Sequence, residues 1–104
     1  MEIGADNGRS IAAWPQYFEN AKLVQGVRYG VRTDSESLGC EAIGLKKPCS
    51  LVKIVDGNQN DPIFLNKLAQ TEWDIIVDDG SHVPEHQIRS FIHLFPSTYF
   101  INIE

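Results

Sequence analysis

Residues 73–82 read Trp-Asp-Ile-Ile-Val-Asp-Asp-Gly-Ser-His, and this stretch decides which fold the sequence predicts. The run from Ile75 to Val77 is β-branched without polar alternation, which predicts a strand buried on both faces of a parallel sheet. Residues 78–82 then combine two carboxylates, a glycine, a hydroxyl and an imidazole. Because ligands bind at the carboxyl edge of open α/β sheets, these residues are the first candidates for a functional site.

Short apolar runs alternate with helical patterns along the rest of the chain. Besides the strand at residues 73–77, the sequence predicts strands at residues 1–3, 22–28, 51–55 and 99–103. It predicts helices that begin at Ser10, between Asp34 and Leu45, at Asp61-Pro62 and at Pro84-Glu85. This order predicts an α/β fold, a Rossmann-like open and mostly parallel sheet of about five strands with flanking helices.

Two further expectations concern the helices. Pro15 should end or bend the first helix early, because proline lacks the backbone N–H that continues a helix. Four apolar residues recur at helical spacing in the last helix, and we expect their side chains to face the sheet. These residues are Ile88, Phe91, Ile92 and Phe95.

Length, charge and composition limit the classes of protein. The chain has 104 residues, with 14 Asp+Glu against 9 Lys+Arg and a formal net charge of -5. This length predicts one domain, and the lack of a basic cluster argues against nucleic acid as a partner. No apolar run approaches the ~20 residues of a membrane span, and no signal-peptide pattern is present, so we predict a cytoplasmic location. Cys40 and Cys49 are too few for a disulfide framework.

Four segments carry a resemblance to a known family. They are Glu-Ile-Gly-Ala-Asp-Asn-Gly-Arg-Ser at residues 2–10, Gly-Asn-Gln-Asn-Asp-Pro at 57–62, Asp-Asp-Gly-Ser-His at 78–82 and Ser-Phe-Ile-His-Leu-Phe-Pro at 90–96. The first resembles the glycine motif of class I S-adenosylmethionine-dependent methyltransferases. In order and spacing, all four are similar to the metal-dependent sugar O-methyltransferases of macrolide and related antibiotic biosynthesis. The resemblance implies a single methyltransferase-like domain, residues 1–104, truncated at both ends.

This resemblance also implies a mechanism and residues for it. The implied reaction is a magnesium-assisted methyl transfer from S-adenosylmethionine to a sugar hydroxyl. Asp79 and Glu104 would be metal ligands, and His82 would be the general base that removes the hydroxyl proton. The implied cofactor-binding residues are Glu2 and Gly4 on the methionine side, and Gln59 and Asp78 on the nucleoside side.

Three features depart from the family pattern. Arg28 stands at the end of the second predicted strand, where the family has an acidic residue that accepts hydrogen bonds from the ribose hydroxyls; a guanidinium has no acceptor. Asn58 replaces the family's usual aspartate after Gly57. The chain also stops at Glu104, before the second acidic residue of the expected metal-binding pair. From these departures we expect weak activity or none.

The alternative is a non-enzymatic, small folded or oligomeric protein of unknown function, such as the product of a truncated mobile gene. In that case Gly4 and Gly8 serve only as a tight turn between a strand and a helix. A truncated sheet has open strand edges, which proteins normally pair or cover. We therefore expect a homodimer, with a small-molecule ligand as a further possible partner.

Overall fold

The computed structural model describes residues 1–5, 9–29, 51–97 and 99–102. The described strands are β1 (Glu2–Ile3), β2 (Val24–Arg28), β3 (Val52–Asp56), β4 (Ile75–Asp78) and β5 (Tyr99–Asn102). The described helices are α1 (Arg9–Tyr17), α2 (Pro62–Leu68) and α3 (Pro84–Leu94), and α3 is followed by a 3-10 turn at Phe95–Ser97. The helix predicted between Asp34 and Leu45 lies outside the described residues.

The five strands form one sheet in the order β3-β2-β1-β4-β5, and every neighbouring pair is parallel. The predicted α/β fold is thereby confirmed. In the register of the sheet, Ile3 of β1 lies opposite Val27 on one side and Asp78 on the other. The chain order reverses between β1 and β4, and such a switch point opens the ligand crevice of this kind of fold. The candidate residues after β4 therefore lie beside that crevice.

Helices cover both faces of the sheet. On one face, α2 and α3 close over a core of Ile3, Val27, Leu65, Leu68, Trp73, Ile76 and Leu94. On the other face, α1 closes over Ala5, Ile11 and Val24. Trp73 is buried and its indole N–H donates to the Leu68 carbonyl at 2.8 Å, which ties the end of α2 to the start of β4. Within the described part of the chain, no helix is long and apolar enough to cross a membrane.

Helix α1 continues past Pro15 and ends two residues later at Tyr17, so the proline lies inside the helix and does not end it at once. Pro15 is fully buried, and this packing offsets the backbone N–H that proline lacks. A hydrogen bond also attaches the last turn to the sheet, because the Trp14 indole N–H donates to the carboxylate of Glu2 in β1 at 2.7 Å. Tertiary contacts therefore override the local helix-breaking tendency.

The orientation of α3 differs from the prediction. The side of α3 that faces the sheet buries Ser90 and Leu94. The Ser90 hydroxyl lies 3.0 Å from the side-chain nitrogen of Gln59, which donates to it. This hydrogen bond lies on the buried side of the helix, together with the side chain of Leu94. The prediction that the four apolar residues of α3 face the sheet is wrong, because all four are exposed: Ile88, Phe91, Ile92 and Phe95.

Candidate functional site

The edge loop, residues 79–82, leaves β4 at the switch point of the sheet. Its first backbone N–H, that of Asp79, donates to the Ile3 carbonyl at 2.9 Å, so the loop begins as a continuation of the pairing with β1. Successive side chains of a strand point to opposite faces. Asp78 is accordingly buried on the face covered by α3, whereas Asp79 is exposed.

Asp78 is enclosed by hydrogen-bond donors. Its carboxylate accepts from the Gln59 side-chain nitrogen at 3.2 and 3.3 Å and from the Gly80 backbone N–H at 3.2 Å. Burial raises the pKa of Asp78 above its ordinary value of 3.8, while the hydrogen bonds from Gly80 and Gln59 act in the opposite direction. Asp78 is therefore a carboxylate held in place by the fold.

Gln59 joins three parts of the chain. Besides its contacts with Asp78, its side-chain nitrogen donates to the Ser90 hydroxyl at 3.0 Å, and its oxygen accepts from the Ser81 backbone N–H at 2.6 Å. Gly80 packs so closely against the Gln59 oxygen that a Cβ at this position would clash with it. We call Gln59, Asp78 and Ser90 the buried junction. It connects the turn after β3, the end of β4 and α3, and it fixes the base of the edge loop.

The remaining side chains of the edge loop divide into two groups. The Ser81 hydroxyl accepts from the Val83 backbone N–H at 3.2 Å and lies 2.8 Å from Nδ1 of His86, so it stabilises the start of α3. Asp79 and His82 are exposed, and their side chains make no hydrogen bond among the described contacts. The loop thus holds one carboxylate and one imidazole open to a ligand.

Gly4 lies directly beneath the edge loop. Its φ is +91°, in the region that favours glycine, and a Cβ there would clash with the backbone of Asp79 and Gly80. The Gly4 N–H donates to the Val27 carbonyl at 2.9 Å. Packing between the loops after β1 and β4 is therefore sufficient to explain this glycine.

Glu2 is buried on the opposite face of the sheet from Asp78. Its two carboxylate oxygens accept from the Ser10 hydroxyl at 2.9 Å and from the Trp14 indole N–H at 2.7 Å. These contacts anchor the first two turns of α1 to β1. The sequence predicts a cofactor contact for Glu2, and the structure places its carboxylate at the start of the helix that follows the glycine motif.

The ends of β2 and β3 complete this edge of the sheet. Arg28 is partly buried and lies opposite Asp56 in the register of the two strands. The Gly57 N–H donates to the Arg28 carbonyl at 2.7 Å. The Asn58 side-chain oxygen accepts from the Asn60 backbone N–H at 2.8 Å, so Asn58 shapes the turn that leads into α2.

The structure brings most of the predicted site residues to one edge, although their roles differ. Asp78 and Gln59 are in direct contact, and Gly4 contacts the backbone of Asp79. Glu104 lies outside the described residues, where the prediction of a second metal ligand is not tested. Among the residues that are described, no group of three or more His, Cys, Asp or Glu side chains converges as a metal site would require.

Sequence reasoning missed three polar members of this region. The sequence indicates Ser90 only as part of a family motif, and it gives no signal that Ser81 contacts His86. The spacing of Ser90 and Leu94, one helical turn apart, was the available signal for the buried side of α3. Four larger apolar residues on the other side gave a stronger hydrophobic signal, which led to the wrong orientation.

Comparison with known proteins finds similar chains among O-methyltransferases. Mycinamicin VI 2''-O-methyltransferase of Micromonospora griseorubida is 43% identical over 91 residues, which cover 86% of this chain and 20% of that protein. Demethylmacrocin O-methyltransferase of Streptomyces fradiae is 35% identical over 91 residues, with the same two coverages. The 2'-O-methyltransferase of 8-demethyl-8-alpha-L-rhamnosyl tetracenomycin-C from Streptomyces olivaceus is 34% identical over 94 residues, 88% of this chain and 21% of that protein.

Solved structures give the same result. The MycE methyltransferase from the mycinamycin biosynthetic pathway, in complex with Mg and SAH, aligns with a TM-score of 0.75 and 25% identity. A second structure, which also contains mycinamycin VI, aligns equally well. Each alignment covers 97% of this chain and 26% of the solved chain.

No protein-family model matches the chain. The chain spans about a fifth of the length of the curated relatives that it matches. Within that span, sequence and fold agree in pointing to one group of enzymes. The resemblance predicted from the four segments is therefore confirmed, and over nearly all of its length this chain is the counterpart of one segment of the macrolide and sugar O-methyltransferases.

Proposed function

We propose that this chain contributes the metal-side and cofactor-side residues for methyl transfer from S-adenosylmethionine to a sugar hydroxyl. The observation that carries the proposal is the division at the end of β4, where Asp78 is locked in the buried junction while Asp79 and His82 face outward. The names of the relatives and the Mg and SAH in the MycE structures support this assignment. Catalytic turnover requires additional polypeptide in this proposal, because the relatives are about five times longer.

Asp79 fits the role of a magnesium ligand. Its carboxylate oxygens are hard donors, and among the described contacts they accept no hydrogen bond. Magnesium is usually held by one or two protein carboxylates and completes its octahedron with water and substrate oxygens. Glu104 is the proposed second carboxylate. A bound magnesium ion would lower the pKa of a sugar hydroxyl that coordinates it.

His82 fits the role of the general base. It follows Asp79 by three residues on the same loop, and both exposed side chains interact electrostatically with Asp78 at the end of β4. A neutral imidazole nitrogen accepts the hydroxyl proton as the oxygen forms its bond to the methyl carbon. The bond from that carbon to the sulfonium sulfur breaks, and the sulfur leaves as a neutral thioether.

The cofactor fits this edge only in part. Gly4 packs closely against the backbone of the edge loop, and a hydrogen bond between Gln59 and Asp78 fixes both side chains below this loop. Arg28 offers donors where the ribose hydroxyls need an acceptor. Asp56 lies opposite Arg28 in the register, is exposed, and is the carboxylate that we propose takes over this contact.

Calorimetric titration with S-adenosylhomocysteine, with and without Mg²⁺, tests the proposal. We expect micromolar binding, on the order of 8 kcal/mol, that strengthens when Mg²⁺ is present. Asp79→Asn should remove the effect of Mg²⁺, while His82→Gln should leave binding unchanged. The matched control is Asp74→Asn, because Asp74 is an exposed carboxylate just before the opposite end of β4.

Arg28 and Gly4 also favour a second candidate, a folded protein that keeps the methyltransferase core without cofactor chemistry. Arg28 removes a ribose acceptor, and Gly4 is explained by packing alone. The same titration separates the two candidates. No binding at millimolar S-adenosylhomocysteine, with or without Mg²⁺, would reject the enzymatic proposal and support the scaffold.

A further inference from the structure

The outward side of α3 carries a continuous apolar surface, which we call the α3 stripe. It consists of Ile88, Phe91, Ile92 and Phe95, whose side chains are 57%, 43%, 63% and 52% exposed. The rings of Phe91 and Phe95 stack with their centroids 4.7 Å apart, so the surface is ordered along the helix. Exposed apolar patches of this kind mark interaction surfaces more often than scattered single residues do.

We propose that the α3 stripe binds the α3 stripe of a second copy of this chain, in an antiparallel, two-fold symmetric helix pair. A two-fold interface is self-complementary, because each contact of residue i with residue j is repeated by j with i. The spacing of the stripe is symmetric about its centre. An antiparallel partner therefore sets Ile88 against Phe95 and Phe91 against Ile92, which pairs an aliphatic with an aromatic side chain at every position.

The area of the stripe is sufficient for such a pair. Half-exposed large side chains each present on the order of 100 Å² of apolar surface, since a whole aromatic residue buries roughly 150 to 250 Å². Eight of them from two copies, together with the rim around them, reach about 1,000 Å², which is the lower bound for a specific interface.

Charge also favours a second copy. The chain as a whole has a formal net charge of -5, which opposes self-association over most of its surface. Helix α3 is different, because the charges of its Glu85 and Arg89 cancel when His86 and His93 are counted as neutral. Two copies of this helix therefore meet without net repulsion. This surface differs from the open strand edges that the sequence suggested for a dimer.

Sedimentation velocity over a range of micromolar concentrations tests the inference. We expect a dimer for the wild-type chain. For Ile92→Glu we expect a dissociation constant about 100-fold larger, because the variant places a charge in the centre of the interface. The matched control is Ile63→Glu on α2, where the side chain is 70% exposed and outside the stripe. This control should dimerise as the wild type does.

Isotope-filtered NMR on a mixed labelled sample provides the second measurement. Contacts between the Phe91 ring of one copy and the Ile92 methyl groups of the other are expected from the antiparallel arrangement. A monomer at all concentrations would overturn the inference. So would a dimer that survives Ile92→Glu, since its interface would lie elsewhere. Neither result depends on S-adenosylhomocysteine, so this inference can fail while the proposed function stands.

Discussion

The buried junction and the edge loop above it use the same kinds of side chain for opposite purposes. Asp78 is enclosed and accepts hydrogen bonds from Gln59 and Gly80, whereas the next residue, Asp79, is exposed and accepts none among the described contacts. Ser90 is fully buried in the junction, whereas His82 is exposed on the loop. Hydrogen-bond satisfaction therefore separates side chains that hold the edge together from side chains that are available to a ligand.

This comparison explains why so much polar structure lies beneath a short loop. A buried polar group costs stability when it lacks a partner, and each member of the buried junction has one. The junction is thus a support that fixes the backbone of residues 79–82. Changes below the loop should reduce stability, and changes on the loop should reduce binding.

The largest expected effect comes from Gly4→Ala. The added methyl group would clash with the backbone of Asp79 and Gly80, and the φ of +91° disfavours alanine. We expect a loss of about 3 to 5 kcal/mol in the free energy of unfolding, measured by urea denaturation without any ligand. An unchanged stability would mean that Gly4 serves only a cofactor and that the packing argument is wrong.

The second-largest loss of stability is expected from Gln59→Leu. It removes the side-chain hydrogen bonds of Gln59 with Asp78, with Ser90 and with the Ser81 N–H while leaving a side chain of similar size. We expect a loss of about 3 kcal/mol by the same urea measurement. The exposed Gln70 gives the control, and Gln70→Leu should change stability by less than about 0.5 kcal/mol. Equal effects of the two substitutions would break the distinction between junction and surface.

Ser90→Ala should have a smaller effect. The substitution removes one acceptor of the Gln59 side chain, but the contact of Gln59 with Asp78 remains. The expected loss is about 1 kcal/mol, and Thr71→Ala at an exposed position is the control. If Ser90→Ala instead matched Gln59→Leu, the serine and not the glutamine would be the centre of the junction.

The pH dependence of stability should show the smallest effect. Burial raises the pKa of Asp78 above 3.8, so the folded chain binds more protons than the unfolded chain between the two pKa values. The contribution of Asp78 to stability is therefore complete at low pH and decreases as the pH rises through the folded pKa. Compared with Asp78→Asn, the wild type should lose stability as the pH rises above about 4, through the raised pKa of Asp78. A constant difference between the two proteins would contradict this.

The sequence was sufficient to predict the parallel sheet and the edge of the sheet at which the candidate residues lie. The unbroken β-branched run at Ile75–Val77 predicted a buried parallel strand, and the polar residues after it lie at the carboxyl edge of the sheet as expected. The strand order and the register were not predicted, because the residue pattern indicates which runs form buried strands but not which of them pair. The continuation of α1 past Pro15 could not be predicted, because it depends on burial of that ring by the rest of the fold.

The orientation of α3 could not be predicted either. Hydrophobic periodicity indicates that a helix has an apolar side, but it does not say what covers that side. In this chain the buried side of the helix carries Leu94 and Ser90, and Ser90 accepts a hydrogen bond from Gln59, 31 residues away in the sequence. The division between Asp78 and Asp79 was equally hidden, because two adjacent aspartates are identical in the sequence and differ only in the groups that surround them.

Paramagnetic broadening by Mn²⁺ tests most directly whether the edge loop is the reactive part of the molecule. Mn²⁺ prefers carboxylate oxygens, as Mg²⁺ does, and broadens the NMR signals of nearby nuclei. We predict that the backbone amide signals of residues 79–82 broaden first, that the amide of Asp74 does not, and that Asp79→Asn abolishes the effect. Broadening that is spread over all exposed carboxylates, or that persists in Asp79→Asn, would contradict the assignment of this loop as the metal-binding edge.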